Sequence, residues 1–247
     1  MDAATLSVLV AGAAAAGFVN GLAGFGTALF SLGFWLQIFP PMQAVAMSVI
    51  VAMVIGMQGL WMVRRQILDQ PRRLLRFLLP ALLGVPFGVY ALAYIEPRPL
   101  KLLTASLLIS YGLFFLARRS LPEFTRHTPR RDAFIGFLGG FLGGLAGLSG
   151  ALPAMWCALR PWPRHETRAV LQPFNVAVLA LSAAALAWRG AYDAATLQSL
   201  AIALVVAVGS AQFGIATFRR MSDTQFRWLL IVLMFLSGAA LMLRELT

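Results

Sequence analysis

The chain has 247 residues, of which 60% are hydrophobic and only 12% charged, with a mean hydropathy of +0.81. A water-soluble domain needs a polar surface that this composition cannot supply, so a soluble enzyme or binding module is excluded. The formal net charge of +11 would suit nucleic acid, but the arginines sit between apolar runs. They are read as setting orientation in a membrane, with the bilayer and not nucleic acid as the partner.

The apolar runs are roughly 16 to 25 residues long and continuous, the length at which an α-helix crosses a bilayer, and they lack the alternation of a barrel. Residues 5–39 are too long for one simple span, and Asn20-Gly21, Gly24 and Gly26 break them midway. Three cleaner segments follow near 42–63, 77–95 and 100–117. They are bounded by Arg64-Arg65, by Pro71 to Arg76, by Glu96-Pro97-Arg98-Pro99 and by Arg118-Arg119. A polar connection at 120–131 separates a first transmembrane repeat, 1–119, from a second, 132–247. The second half has a broken element from about 133 to 159, then segments near 169–188, 194–218 and 226–243. The single cysteine, Cys157, excludes an internal disulfide; a buried position suits it better than a reactive one. Asp2 and the lack of a basic residue before the first apolar run argue against a cleaved signal peptide.

The halves are related. GFVNGLAGFGTALFS, from Gly17 to Ser31, returns as GFLGGLAGLSGALPA, from Gly140 to Ala154, with eight of fifteen positions identical. Each copy leads into a mostly apolar run ending in proline, Pro40 and Pro163. Sparser matches extend further. At a spacing of 125, Arg64 falls on Arg189 and Gly84 on Gly209; at 126, Lys101 falls on Arg227, Gly112 on Gly238 and Arg118 on Arg244.

The basic residues choose between two topologies. If each broken element dips into the membrane and returns, each half crosses three times. The patches at 64–76, 118–131, 160–168 and 219–227 then share one face and hold sixteen of the twenty Lys and Arg residues. If each crosses once, the split is only twelve to eight. The positive-inside rule favours the first arrangement. The expected fold is therefore an all-α integral membrane protein of two inverted repeats. Each is a glycine-rich, broken and re-entrant helical hairpin followed by three transmembrane helices, in the inner (cytoplasmic) membrane, with both termini on the non-cytoplasmic side. Trp61, Trp188 and Trp228, beside Arg64, Arg189 and Arg227, fit an interfacial belt.

A helix broken within the membrane exposes N–H groups that must face protein, water or ligand, and a half-helix N-terminus suits an anion. Glycine allows close approach, and a nearby hydroxyl or amide adds a hydrogen bond. Gly24, Gly26 and Thr27 in the first copy, and Gly147, Ser149 and Gly150 in the second, have that composition, with Asn20 beside them. Packing alone is the competing account: Gly136, Gly140 and Gly144 recur at every fourth position, as do Gly139, Gly143 and Gly147. In the next helix, Arg168, Gln172, Asn175, Leu179 and Ser182 share one face at helical spacing. Gln172 and Asn175 suit a substrate path, and Arg168 either attracts an anion at the cytoplasmic mouth or anchors the helix. Pro173 is placed to kink that helix in its first turn. The matching first-half helix offers Ser48 and Gln58 but no stripe, so an asymmetric site is expected.

All nine acidic residues are read as lying in tails or connections, and His127 and His165 as lying in loops. Carboxylate-based proton relay within the membrane is therefore not expected. No catalytic constellation, nucleotide loop or metal-ligand cluster is visible, so neither enzyme activity nor a cofactor or metal is expected.

G-L-A-G-F-G-T-A-L-F and G-L-A-G-L-S-G-A-L-P, with A-V-A-M-S after Pro41 and R-A-V-L-Q-P after Pro163, resemble the TauE/SafE sulfite-exporter family of membrane permeases over nearly the whole chain. The resemblance implies transport of sulfur-containing anions such as sulfite or organosulfonates, usually outward. Many members carry Thr-Ser where this chain has Met47-Ser48 and Gln172-Pro173, which leaves the substrate open. A permease for a small anion is the first reading; a non-transporting membrane subunit that scaffolds a partner is the alternative. Self-association into a homo-oligomer is compatible with both. Cysteine labelling from outside the cell checks the topology: Thr247→Cys should label and Ser120→Cys should not. The reverse pattern would overturn it.

Overall fold

A computed structural model describes residues 2–23, 26–64, 71–117, 124–125, 128–162, 164–221 and 223–246. Among them the chain forms ten α-helices and no strand. The first half gives α1 (Ala3–Ala23), α2 (Thr27–Trp35), α3 (Pro41–Val63), α4 (Pro71–Leu92) and α5 (Pro97–Ala117). The second gives α6 (Pro129–Ala146), α7 (Ala151–Ala158), α8 (Arg164–Trp188), α9 (Ala194–Arg220) and α10 (Asp223–Leu246).

Four of these helices begin on a proline, whose fixed φ and missing N–H suit the first turn. Helices start earlier than the apolar segments because arginine and glutamate propagate a helix as well as leucine does. Thus α8 begins at Arg164 and puts Pro173 in its third turn, not its first. Asn20 and Gly21 lie within α1, and the break falls just beyond it, where Gly26 takes φ 94°. Gly24 lies outside the described residues.

Six helices are long and apolar enough to cross a membrane: α1, α3, α4, α5, α8 and α9; α10 holds a shorter apolar stretch, Ile231–Leu243. Large apolar side chains such as Leu83, Phe87, Val205 and Phe213 point outward, as lipid contact requires. Trp61, Trp188 and Trp228 are also exposed, and the Arg64 guanidinium lies 4.1 Å over the Trp61 ring.

Both broken elements are hairpins. Trp35 Nε1 donates to Leu9 O at 3.1 Å, returning the end of α2 to the early turns of α1. In the second half, Trp156 Nε1 and Arg160 Nη2 both donate to Asp132 Oδ1, at 2.8 and 2.9 Å. Phe124 N donates to Leu159 O at 2.9 Å, so α7 ends where α6 begins. At the second turn, Gly147 takes φ 67° and closes α6 with Gly147 N on Gly143 O and Leu148 N on Leu142 O, a left-handed C-cap.

Each hairpin's long helix packs on a helix of the other half, α1 on α9 and α6 on α4. A Cβ at Gly140 would lie 2.1 Å from Ala81 O, and one at Gly17 would lie 2.1 Å from Ala207 O. Gly144 meets Val85 O as Gly21 meets Ala211 O, and Gly88 meets Phe141 O and Leu145 N as Gly214 meets Phe18 O and Leu22 N. The same backbone-to-backbone interface is built twice, with a spacing of 123 in the hairpin helices and 126 in their partners. The match of Gly84 to Gly209 at 125 is therefore one residue out of register: a Cβ on Gly209 would meet no other part of the chain within 4 Å, and Gly88 pairs with Gly214. Gly139 and Gly143 face the other way, against Pro153, Ser149, Phe174 and Val178.

The central helices α3 and α8 run antiparallel, with Gly56 beside Val176 and Gly59 beside Gln172. So do α5 and α10, with Gly112 near Ile231 and Phe235, and Gly238 near Ala105, Leu108 and Ile109.

Gly140→Ala and Gly17→Ala should each lower the thermal unfolding midpoint in detergent, by an overpacking cost of about 1–3 kcal/mol. Gly209→Ala should hold or raise it, by up to about 1 kcal/mol of helix propensity. Equal responses at the three positions would contradict the interface.

Candidate functional site

The two hairpin tips meet: a Cβ on Gly147 would lie 3.3 Å from Ala28 Cβ. Between them is a cavity enclosing about 40 Å³, walled by both tips and by α3 and α8. That is room for about three water molecules, at roughly 10–15 Å³ each. Its polar lining is Asn20, Thr27, Ser149, Gln172 and Asn175, and none of the described lining residues carries a charge.

The helix ends are the main electrostatic feature. Residues 26–29, the start of α2, and 150–151, the start of α7, both line the cavity. Neither N-terminus is capped by a side-chain hydrogen bond. Their first-turn N–H groups have no partner within the helix, and both positive ends meet in one small volume.

The side chains are held in place. Asn20 Nδ2, in the last turn of α1, donates to Thr27 Oγ1 across the break. Ser149 Oγ donates to Asn175 Oδ1 at 3.1 Å, which leaves the Asn175 NH₂ as a donor. The Asn175 amide lies over Gly150, where a Cβ would come within 2.9 Å of it. Gln172 lies against Gly59, where a Cβ would come within 2.6 Å of its Nε2. Ala52, Gly56, Val176 and Leu179 complete an apolar wall.

Of the residues singled out in the sequence, Asn20, Gly26, Thr27, Gly147, Ser149, Gly150, Gln172 and Asn175 line this cavity. Ser48 does not: it is buried, 2.7 Å from Ser31 Oγ, and donates to Ala44 O, so it ties α2 to α3. Arg168 is exposed, one turn before Gln172 on α8, and is not among the lining residues. Ser182 is turned back onto Val178 O. The sequence reading missed the wall from α3; its signal was the small pair Ala52 and Gly56 at i and i+4.

A family model for the sulfite exporter TauE/SafE matches residues 9–241, which takes in the whole cavity and all of both hairpins but the start of α1. The chain belongs to the sulfite exporter TauE/SafE family. Membership makes it a multi-pass membrane transporter, with a small substrate and the lipid bilayer as partners. No curated protein and no solved structure matches the chain.

The Ser149–Asn175 bond is testable apart from transport. Ser149→Ala and Asn175→Ala should each lower stability by about 1 kcal/mol, and the double variant by less than their sum, with a coupling of about 1 kcal/mol. Strict additivity in detergent unfolding would show that the bond does not form.

Proposed function

We propose that this TauE/SafE chain is a secondary permease carrying a small anion, a sulfur oxyanion or organosulfonate such as sulfite, through the cavity between the hairpin tips. The observation that carries this reading is the meeting of two uncapped helix N-termini at one cavity with no charged lining residue. A site built from N–H groups, hydroxyls and amides attracts an anion without holding it as an ion pair would, which favours release. Asn20, Gly24, Gly26, Thr27, Gly147, Ser149, Gly150, Gln172 and Asn175 form the substrate site. Ser48 supports it from behind, and Arg168 gathers anions at the cytoplasmic mouth.

The halves act as inverted repeats. The antiparallel pairing of α3 with α8 and of α5 with α10 is what a two-fold axis in the membrane plane requires of counterpart helices. The chain lies in the inner membrane with both termini outside the cytoplasm, so its basic patches face inward. The membrane potential then drives efflux. One negative charge leaving a negative interior gains about 2.3 kcal/mol per 100 mV, enough for a roughly fifty-fold gradient at about 100 mV.

Flux from sulfite-loaded liposomes under an imposed potential tests the reading. Efflux should follow the potential and carry current, and Asn175→Ala should raise the half-saturating sulfite concentration about tenfold, the worth of one hydrogen bond to an anion. Flux that ignores potential but follows a pH gradient would replace this mechanism with proton coupling. No flux of sulfite, thiosulfate or a sulfonate, with a partner protein co-purifying, would favour the scaffolding-subunit reading.

A further inference from the structure

A second cavity, of about 320 Å³, lies at the base of the α6–α7 hairpin, and Arg73, Arg76, Thr125, Thr128, Arg160 and Glu166 are among its lining. It is separated from the cavity at the hairpin tips by α7, whose eight residues span about 12 Å. Three helices, α4, α6 and α8, begin around it and turn their positive ends toward it. Two of them answer that charge with an acidic residue in the first turn, Asp132 in α6 and Glu166 in α8.

Helix α4 does the opposite. It has no acidic residue in its first turn and carries Arg72, Arg73 and Arg76 at its start. Cations at a helix N-terminus are opposed by the dipole and by one another. The carboxylates described at the cavity are both engaged already. Asp132 is taken by Arg160 and Trp156. Glu166 accepts from Arg73 Nη1, one of the five N–H groups that a guanidinium offers. Arg73 is posed by the Trp162 ring, 4.8 Å from its Cζ, and Arg160 lies 4.9 Å over Trp156.

The other half shows that the fold does not require this cluster. It closes its hairpin base through Trp35 on Leu9 O. At the repeat spacings of 123 in the hairpins and 126 in their partner helices, Asp132 falls on Leu9, Arg160 on Gln37, Arg73 on Ser199 and Arg76 on Ile202. Membrane orientation needs arginines on one face. It does not need them gathered around a cavity with rings beneath them.

We propose that this cavity is a second anion site, distinct from the transport path, and that it takes a phosphate group. Arg73 and Arg76, one turn apart on α4, present planar donor forks to the phosphate oxygens. Thr128, whose oxygen accepts from Arg160 Nη2, keeps its own O–H as a further donor, and Thr125 also lines the cavity. The volume is eight times that of the cavity at the tips, so it accommodates a phosphate together with its ester substituent. A headgroup of an anionic phospholipid and a soluble phosphoester share that chemistry, and a basic pocket between membrane helices suits the headgroup.

The test is thermal unfolding of the full chain in neutral detergent, with phosphatidylglycerol, inorganic phosphate, and phosphatidylcholine and matched chloride as controls. The midpoint should rise saturably with phosphatidylglycerol or phosphate and with neither control. Arg73→Gln/Arg76→Gln should raise the half-saturating concentration at least tenfold, Arg73→Lys/Arg76→Lys less, and Asn175→Ala should leave it unchanged. Should the double glutamine variant not fold, Arg76→Gln alone gives the reading. A response to phosphatidylglycerol alone identifies a lipid headgroup, and one to phosphate a soluble source. No saturable response, one matched by the controls, or one that survives loss of the arginine charges would overturn the proposal. Loss of the response in Asn175→Ala would move the site to the hairpin tips, whatever that cavity transports.

Discussion

A backbone N–H that leaves its helix inside a membrane cannot turn to water, and an unmet polar group there costs several kcal/mol. The architecture follows from that constraint. Both hairpins must break, and both breaks are placed where the exposed groups face a shared polar cavity and not lipid. Gly26 and Gly147 supply the left-handed conformations at the breaks, and Asn20, Thr27, Ser149 and Asn175 meet the neighbouring polar atoms. Neither N-terminus has a side-chain cap, so first-turn N–H groups of both helices are left at that cavity.

Holding two hairpins tip to tip requires their long helices to be anchored without polar glue. The anchor is backbone contact. In α1·α9 and α6·α4 the glycines bring one helix's α-carbons against the other's carbonyls, where dispersion works at its closest range. Because both interfaces use the same atoms in the same register, the tips are placed by a repeated geometry. The bases differ: one is closed by an indole on a carbonyl, the other by a buried ion pair, Arg160 with Asp132, that shares its carboxylate with Trp156. Losing either partner of that pair would leave a buried charge uncompensated.

Charge is divided along the second hairpin. Its tip lines a cavity with neutral donors, and its base lines one with arginines. On the proposed reading, a fixed cation at the tip would hold an anion too firmly for turnover, whereas fixed cations at the base can retain one.

The sequence alone determined the membrane class, the helix plan and the two hairpins, because run length, arginine position and the repeated G-L-A-G stretch each reflect a local or one-dimensional rule. It also identified every polar residue of the cavity lining, since a glycine-rich break beside a hydroxyl is chemically conspicuous in an apolar chain. It did not show that Ser48 is turned to Ser31 and away from the cavity, because the direction of a polar side chain on a buried helix depends on which neighbour supplies the partner. It placed the helix starts late and the α4 to α9 register one residue out, since hydropathy does not mark where a charged turn continues a helix or which glycine faces a partner. Only the tertiary structure decided that the tips meet and that Arg73, Arg76, Arg160 and Glu166 gather at one cavity. Those residues are brought together from α4, α8 and the turn after α7 by close backbone packing, and no spacing along the chain records that contact.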